Sequence, residues 1–448
     1  MQLPQQLLES LSDIKGFDKE AFEKIHESPQ QLTSIRLNPV KNFEPQTSNF
    51  KLSSVPWSQY GFYLEERPSF TFDPLFHAGL YYVQEASSMF LEQALKQTVD
   101  LSKPLKVLDL SAAPGGKSTH IQSLISKESL LVSNDVIRSR ANILKDYIIK
   151  WGCNNVMVTN NDPKDFARLE NYFDVIVVDA PCSGSGLFRR DPEAMDEWSL
   201  NNVQLCSQRQ QRILADVWPA LKEDGILIYS TCSYSREEDE DIVNWLMEGL
   251  SIVNCPLSID KEWGIVQSGG GYRFWPDKVK GEGFFLACFR KTDGEDAASL
   301  KVKNKPEHAT KNEITIIEKW VEPSALRYIK HLNTVYAWPE HLVNDFSMLL
   351  NNLRVIYSGT IIGELFRNKL VPDHALAMSP LANQSIEKTT LPYEEAINYL
   401  KRKELKIDTA NKGWQLVKYE GHSLGWINVL HNRINNYYPK ELRILKDI

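Results

Sequence analysis

The sequence predicts an α/β fold whose core is a mostly parallel sheet, and two observations support this prediction. From residue 104 onward, short apolar runs alternate regularly with helical stretches. The runs do not alternate between apolar and polar residues, as a strand with one solvent-exposed face would. Continuous apolar runs are typical of parallel strands that are covered on both faces. Seven strands are expected, the last as an interior antiparallel strand: 106–110, 130–134, 155–159, 173–178, 225–230, 272–275 and 283–289.

The residues before this core predict a small α+β domain, residues 1–100. The run from Ser34 to Pro39 alternates like a strand and ends at a proline. Its cation, Arg36, could hold a phosphate, but a solvated charge at an edge of the sheet is the preferred interpretation. The other predicted elements are helical segments within 2–28, strands at 57–64 and 70–72, and a helix over 84–95.

The residues after the core predict a linker and a second, β-rich unit. Residues 293–312 are polar and charged without periodicity, so we expect a linker between a core of residues 101–292 and a C-terminal domain of residues 313–448. The predicted elements of that domain are helices over 320–332 and 339–350, then short strands within 353–370 and 413–443.

Composition limits the class of protein. The chain has 448 residues, 42% of them hydrophobic, and no apolar run near the length of about 20 residues that spans a membrane. The amino terminus lacks the features of a signal peptide, so a cytoplasmic protein is expected. The six cysteines form no C-x-x-C pair, which makes a bound metal and a disulfide framework unexpected. A net charge of −7 argues mildly against nucleic acid as partner, although residues 310–448 carry a small excess of lysine and arginine.

One stretch, Lys106 to Ile121, predicts a cofactor site. A buried strand ends there, and the chain turns through Ala112, Ala113, Pro114, Gly115 and Gly116 before a helix begins near Lys117 and Ser118. These small residues let a ligand approach the backbone, and the free N–H groups of the new helix face it. A polar, extended cofactor fits such a turn.

The turn has features of three kinds of cofactor site. A phosphate-binding P-loop is a near miss, because its first glycine would fall at Ser111. A dinucleotide site needs three spaced glycines, and only two adjacent ones are present. A methyltransferase site instead expects an acidic residue at the end of the next strand to hold ribose hydroxyls, and Asp135 stands there.

The ends of three further strands bear unusual side chains. Asp179 and Cys182 follow the run 175–178, Cys232 follows the run 226–229, and Asp162 closes the strand before them. Because the tips of parallel strands share one edge, two thiols and several acids should meet at the cofactor. Asp162 alternatively caps the helix that begins near it.

Two thiols beside a methyl donor suggest methylation of carbon 5 of cytosine. That carbon is a poor nucleophile until a thiolate adds at carbon 6. An acid should then interact with ring N3, a task that suits Asp179, and a base must remove the carbon-5 proton, for which Cys182 is placed. Chemistry alone does not decide which thiol adds.

At this point three motifs resemble those of the NOL/NOP/Sun family of RNA cytosine-C5 methyltransferases: AAPGGKS at 112–118, DAPCSGSG at 179–186 and STCSYS at 230–235. The whole chain is similar to the bacterial RsmF type of this family, through IRLNP, YYVQEASSM and GELFRNKLVPDHALAMS. The resemblance implies a Rossmann-like class I methyltransferase core followed by a PUA-like, RNA-binding module.

The resemblance also implies roles for individual residues. Cys232 would be the nucleophile, Cys182 would assist product release, and Lys117 would lie near the target base. Ser111 and Ser118 stand where many relatives have cysteine and threonine. The residues implied to bind S-adenosylmethionine are Ala112, Ala113, Pro114, Gly115, Gly116, Lys117, Ser118, Asp135, Arg140, Asp162 and Asp179.

The expected activity is S-adenosylmethionine-dependent formation of 5-methylcytosine in small-subunit (16S) ribosomal RNA, by a monomer that uses no metal. The RNA partner would be that ribosomal RNA or its precursor particle. Three other classes remain open: a DNA cytosine-C5 methyltransferase, which should use Cys182 as nucleophile; a P-loop ATPase; and a non-catalytic RNA-binding ribosome assembly factor, which would tolerate loss of both cysteines.

Overall fold

A computed structural model describes residues 3–29, 31–41, 51–294, 305–407 and 411–446. The middle of the predicted linker, residues 295–304, lies outside the described residues. The division into four parts stays a prediction, and the elements are therefore given below in chain order.

The N-terminal part contains helices and a four-stranded antiparallel sheet with the order β2-β3-β1-β4. Its apolar residues pack into the same cluster as residues from the far end of the chain, including Tyr399 and Tyr438. Its elements are α1 (Gln5–Leu11), α2 (Lys19–Glu27), β1 (Thr33–Leu37), β2 (Leu52–Ser54), β3 (Gly61–Leu64), α3 (Pro74–His77), β4 (Tyr81–Val83) and α4 (Leu91–Thr98).

Local structure in this part differs from the prediction in two places. Phe70–Phe72 form a short 3-10 helix rather than a strand, because the flanking Pro68 and Pro74 lack the N–H groups that a sheet ladder needs. The helix predicted from residue 84 begins only at Leu91, after a 3-10 turn over Ser87–Phe90.

The central part alternates strands and helices as predicted. Its strands are buried along almost their whole length, which explains why they read as continuous apolar runs. Its elements are β5 (Lys106–Asp109), α5 (Gly116–Leu124), β6 (Leu130–Asn134), α6 (Arg138–Trp151), β7 (Val156–Thr159), β8 (Phe173–Asp179), α7 (Ala194–Glu197), α8 (Leu200–Val217), β9 (Leu221–Thr231), α9 (Glu240–Gly249), β10 (Ile252–Asn254), β11 (Val266–Ser268), β12 (Gly271–Phe274) and β13 (Phe284–Lys291).

The C-terminal part is rich in strands, in agreement with the prediction. It contains a five-stranded sheet and a separate four-stranded sheet. Its elements are β14 (Glu307–His308), α10 (Lys311–Ile317), β15 (Leu326–His331), β16 (Thr334–Pro339), α11 (Val343–Asn352), β17 (Val355–Ser358), β18 (Thr360–Phe366), β19 (Lys369–Pro372), α12 (His374–Met378), β20 (Lys388–Thr390), α13 (Tyr393–Leu400), β21 (Gly413–Tyr419), β22 (His422–Val429) and β23 (Ile434–Asn436).

The helix predicted over residues 320–332 is wrong. Residues Leu326–His331 form β15, which pairs in a hairpin with β16 from His331↔Thr334 to Leu326↔Pro339. The connecting residue Leu332 has a φ of 54°, a left-handed conformation that turns the chain back on itself. Pairing with a partner strand therefore overrides the local pattern of apolar residues.

The core sheet has ten strands, and nine of them follow the order β11-β12-β13-β9-β8-β5-β6-β7-β17. The pairs β9–β8, β8–β5, β5–β6 and β6–β7 are parallel, whereas β13 is antiparallel, as expected. The predicted α/β fold is confirmed. All seven predicted strands are present, and β10, β11 and β17 extend the sheet beyond them.

Candidate active site

The sheet order brings the candidate residues to one edge. The loops after β9, β8, β5, β6 and β7 all start from the carboxyl edge, because these five strands are parallel. The turn through residues 112–116, here called the small-residue turn, follows β5. Along the same edge, Cys232 follows β9, Asp179 ends β8, Asp135 follows β6 and Asp162 follows β7.

The turn after β5 is held in a shape that depends on glycine. Gly115 has a φ of +121°, and α5 begins at the next residue. A Cβ atom on Gly115 would also lie 3.3 Å from the Cβ atom of Tyr147. On the other side of the turn, Arg140 Nη2 donates a 2.9 Å hydrogen bond to the carbonyl oxygen of Ala113.

Arg36 is not the solvated edge charge that the sequence suggested. Its side chain is fully buried beneath α5, and burial lowers the pKa of Arg36 to about 9. The guanidinium donates hydrogen bonds to Thr119 Oγ1 at 2.6 Å, Ser123 Oγ at 2.9 Å and Gln84 Oε1 at 2.8 Å. Arg36 thus fixes the helix that begins at the small-residue turn, and the alternating pattern around it gave no sign of this partner.

Lys117 and Asp179 form an ion pair at the centre of the edge. Lys117 Nζ lies 2.7 Å from Asp179 Oδ2, and Ser230 Oγ donates to Asp179 Oδ1 at 2.8 Å. Both residues line a groove of about 630 Å³. The groove is also lined by the small-residue turn and by aromatic and cationic side chains, namely Phe70, Phe76, Tyr82, Tyr147, Arg67 and Arg190.

The two thiols are in direct contact. Cys182 Sγ lies 3.0 Å from Cys232 Sγ, and both cysteines are partly buried and unbridged. The adjacent Cys232 sulfur, together with burial, raises the pKa of Cys182 well above the usual range of a thiol. Formation of a thiolate on Cys182 is therefore disfavoured while Cys232 is in contact with it.

Glu238 joins the loops that present the two thiols. It could not be identified from the sequence, because it belongs to an acidic run of the kind that is usually solvated. Its buried carboxylate accepts hydrogen bonds from Ser183 N at 2.8 Å and Ser233 Oγ at 2.7 Å, next to Cys182 and Cys232 respectively. Burial raises the pKa of Glu238. These bonds hold the tips of β8 and β9 in register.

Asp135, Arg140 and Asp162 lie further along the edge and are not among the residues that line the groove. Asp135 is buried, its Oδ1 accepts from Ile137 N at 2.9 Å, and its Oδ2 is 3.7 Å from Arg140 Nε. Asp162 caps the 3-10 helix Pro163–Arg168 by accepting from Lys164 N at 3.2 Å. The structure therefore confirms that Asp162 is a helix cap, and a role for Asp162 in binding a ligand stays a prediction.

Asp109, at the end of β5, is a buried acid that the sequence reasoning missed, although a charge closing an apolar run was an available signal. Ser118 Oγ donates to its Oδ2 at 2.6 Å, and among the described residues its buried Oδ1 has no hydrogen-bond partner. Burial raises the pKa of Asp109 to about 7, a shift that Ser118 and Lys117 only partly oppose.

This carboxyl makes stability depend on pH. Its pKa is higher in the folded chain than in the unfolded one, so the stability present below about pH 4 is lost as the pH rises through about 7. Asp109→Asn cannot ionise, and we expect it to gain about 2 kcal/mol in free energy of unfolding, relative to wild type, between about pH 5 and pH 7. Urea unfolding of the ligand-free proteins measures this difference. Parallel pH profiles would mean that Asp109 is already ionised at pH 5.

Two classes of feature are absent from the part of the chain that the structure describes. In that part, no three or more His, Cys, Asp or Glu residues form a group that could hold a metal ion. No described helix is both long and apolar enough to cross a membrane.

Comparison with solved structures gives the class of protein. The fold is similar to "Methyltransferase Homolog Protein" from Pyrococcus horikoshii, with a TM-score of 0.53, 27% identity, and coverage of 64% of this chain and all of that one. It also matches NSun6 from Pyrococcus horikoshii with SFG, at a TM-score of 0.56 and 20% identity over 65% of this chain and 99% of that one. The fold, with the turn after β5 and the acids along its edge, is that of a methyltransferase.

Comparison with sequences gives the family. Residues 96–290 match the 16S rRNA methyltransferase RsmB/F family, residues 3–86 the N-terminal domain of 16S rRNA methyltransferase RsmF, and residues 387–444 its PUA domain. Ribosomal RNA small subunit methyltransferase F of Psychromonas ingrahamii is 30% identical over 98% of this chain and 97% of its own. The protein of the same name from Shewanella piezotolerans is 29% identical over 91% and 90%. The chain belongs to the ribosomal RNA small subunit methyltransferase F family, so the expected resemblance and the PUA-like module are confirmed.

Proposed function

We propose that this protein forms 5-methylcytosine in small-subunit ribosomal RNA with S-adenosylmethionine as methyl donor. The observation that supports this most is the 3.0 Å contact between Cys182 Sγ and Cys232 Sγ. Cys182 lies on the loop that follows Asp179, the residue that pairs with Lys117. A methyltransferase that alkylates a nucleophilic nitrogen or oxygen needs no thiol, whereas addition to carbon 6 of cytosine needs one and its reversal benefits from a second acid or base.

The residues along the edge fit the proposed donor. S-adenosylmethionine carries a sulfonium and an ammonium cation, and the edge offers the carboxylates of Asp135, Asp162 and Asp179. Asp135 Oδ2 is beyond hydrogen-bond distance of Arg140, so this oxygen can accept from a ribose hydroxyl. To reach a cytosine held at the thiols, the methyl group would have to lie beside Asp179, and the adenine would then lie on the side of Asp162. When bound, the donor supplies an electrophilic methyl group.

The addition step is assigned to Cys232 and Asp179. The Cys232 thiolate, whose proton passes to solvent, adds to carbon 6 of cytosine and turns carbon 5 into an enamine carbon that can accept the methyl group. Asp179 and its partner Lys117 face ring N3, where negative charge develops, and Lys117 can donate the hydrogen bond or proton that this charge requires. The ion pair at 2.7 Å keeps Lys117 within reach of the same ring.

The elimination step is assigned to Cys182. Once Cys232 Sγ is bonded to carbon 6 it has neither a proton nor a charge, so both the hydrogen bond between the sulfurs and the charge interaction, two causes of the raised pKa of Cys182, are weakened. Cys182 can then release its own proton to solvent and take the carbon-5 proton. The electron pair of that C–H bond re-forms the double bond between carbons 5 and 6, and the carbon–sulfur bond breaks with its electron pair returning to Cys232. The contact between the two sulfurs couples the two steps.

The proposed partner is ribosomal RNA of the small subunit or its precursor particle, met in the cytoplasm by a monomer. The groove beside Lys117 has exposed Arg67 and Arg190 for phosphates and aromatic rings for unstacked bases. Single-stranded RNA with a splayed-out cytosine is the substrate form that such a groove fits.

The test separates addition from elimination. We expect Cys182→Ala, incubated with S-adenosylmethionine and small-subunit ribosomal RNA, to accumulate a covalent protein–RNA adduct that survives a denaturing gel, because addition proceeds and elimination fails. The wild type should turn over without adduct, and bisulfite sequencing should then find 5-methylcytosine in that RNA.

The double variant Cys182→Ala/Cys232→Ala is the control and should give no adduct. An adduct with Cys232→Ala but none with Cys182→Ala would reverse the two roles and favour the DNA-type arrangement. The proposed function would be rejected if the wild type formed no 5-methylcytosine in naked RNA and none in assembled small subunits.

A further inference from the structure

The core sheet ends in a strand that the sequence assigned to a different part of the chain. β17 pairs antiparallel with β7, through Val355↔Thr159 and Tyr357↔Val158. Because β17 runs against its neighbour, its first residue lies at the carboxyl edge of the sheet. Arg354, which precedes that residue, is therefore the next position along the edge after the loop that contains Asp162.

Main-chain hydrogen bonds fix Arg354 against this loop. Asn160 N donates to the Arg354 carbonyl oxygen at 3.0 Å, and Arg354 N donates to Asn161 Oδ1 at 2.9 Å. Asn161 Nδ2 also donates to the Arg354 carbonyl oxygen at 3.3 Å. These bonds involve only the backbone of Arg354, so its side chain can be replaced without breaking them.

Arg354 is one of the residues that line a cavity of about 360 Å³, together with Val136, Asp162 and five further residues that are all polar. Val136 is 57% exposed, although it directly follows the buried Asp135. An exposed apolar side chain, a carboxylate acceptor and an exposed guanidinium around one cavity suit a flat heterocycle that has an amino group. A guanidinium stacks on such a ring, and a carboxylate accepts its N–H donors.

We propose that Arg354, from beyond the predicted linker, is a binding residue for the adenine ring of the methyl donor. This inference rests on the proposed function, which leaves the adenine to the side of Asp162. The ring lies against Val136 and the Arg354 guanidinium, with its amino group toward Asp162. The methyl-donor site is thus completed by a residue outside the region that matches the methyltransferase family, 96–290.

The experiment measures binding of S-adenosylmethionine to the full chain by calorimetry, without RNA. We expect Arg354→Ala to weaken binding about tenfold and Arg354→Lys to recover part of the loss. Adenosine alone should lose affinity by a similar factor. With RNA added, the KM for S-adenosylmethionine should rise while kcat at saturation stays within about twofold, because the ring is remote from the reacting methyl group.

The control is Arg443→Ala, an exposed arginine in the PUA module, which should bind like the wild type. Circular dichroism melts of each variant check that the fold is kept. Unchanged S-adenosylmethionine affinity of Arg354→Ala, with or without a raised KM for RNA, would overturn this inference and leave the proposed function standing. No binding by the wild type would reject both.

Discussion

Cys232→Ala is expected to abolish methyl transfer to small-subunit ribosomal RNA, with a fall in kcat of about 10⁴-fold or more. The reason is that carbon 5 of cytosine stays unreactive unless a sulfur adds at carbon 6, and that Cys182, on the loop after the neighbouring strand, is assigned to elimination and not to addition. Incorporation of radiolabelled methyl groups into the RNA measures the loss. Calorimetry should give unchanged affinity for S-adenosylmethionine, because the side chain lost contributes to addition and not to donor binding.

Cys255→Ala is the matched control, because Cys255 is another partly buried, unbridged cysteine that lies outside the site. It should keep wild-type turnover. If Cys232→Ala still methylated RNA at a substantial rate, the sulfur that adds to cytosine would have to be Cys182, and the assignment based on resemblance would be wrong.

Asp179→Asn is expected to lower kcat by about 10³-fold, within the range typical of a lost acid or base. An amide in this position carries no negative charge, so it removes the ionic partner that holds Lys117 at 2.7 Å, toward ring N3. The thiol pair is untouched, so the variant should still react slowly with RNA. Single-turnover kinetics with saturating S-adenosylmethionine measure the methyl-transfer step directly.

Asp174→Asn provides a closely matched control. Asp174 belongs to the same strand, β8, at the opposite end from the site, and it is also paired with a lysine, Lys222, at 2.6 Å. Its replacement should change stability and leave the rate near that of the wild type. Equal losses in the two variants would mean that Asp179 acts only in folding.

The parts of the fold that could be predicted from sequence are those with a strong local signature. Strands β5 to β9 read as uninterrupted apolar runs because both faces of a parallel sheet are covered. The small-residue turn was identifiable because Gly115 needs a positive φ, and parallel strand order then brought Asp135, Asp179 and the two cysteines to one edge.

The parts that failed depend on partners distant in the chain. The run 326–331 became a strand because β16 is present to pair with it, and local spacing holds no information about that partner. Arg36 is buried because Thr119 and Ser123 supply acceptors some eighty residues later. Glu238 was hidden among acids that are usually solvated, and only the fold reveals that it bridges the two thiol loops.

The antiparallel strand β17 has a consequence for synthesis of the protein on the ribosome. Chains are made at about 5–20 residues per second, and domains generally fold as they emerge. Until residue 358 has emerged, β7 is an open edge with unpaired N–H and C=O groups, which invites association with other nascent chains. The core sheet therefore stays incomplete after strands β5 to β13 have been synthesised, because its edge strand β17 comes later in the chain. A chain that stalls before β17 is expected to need a chaperone to avoid aggregation.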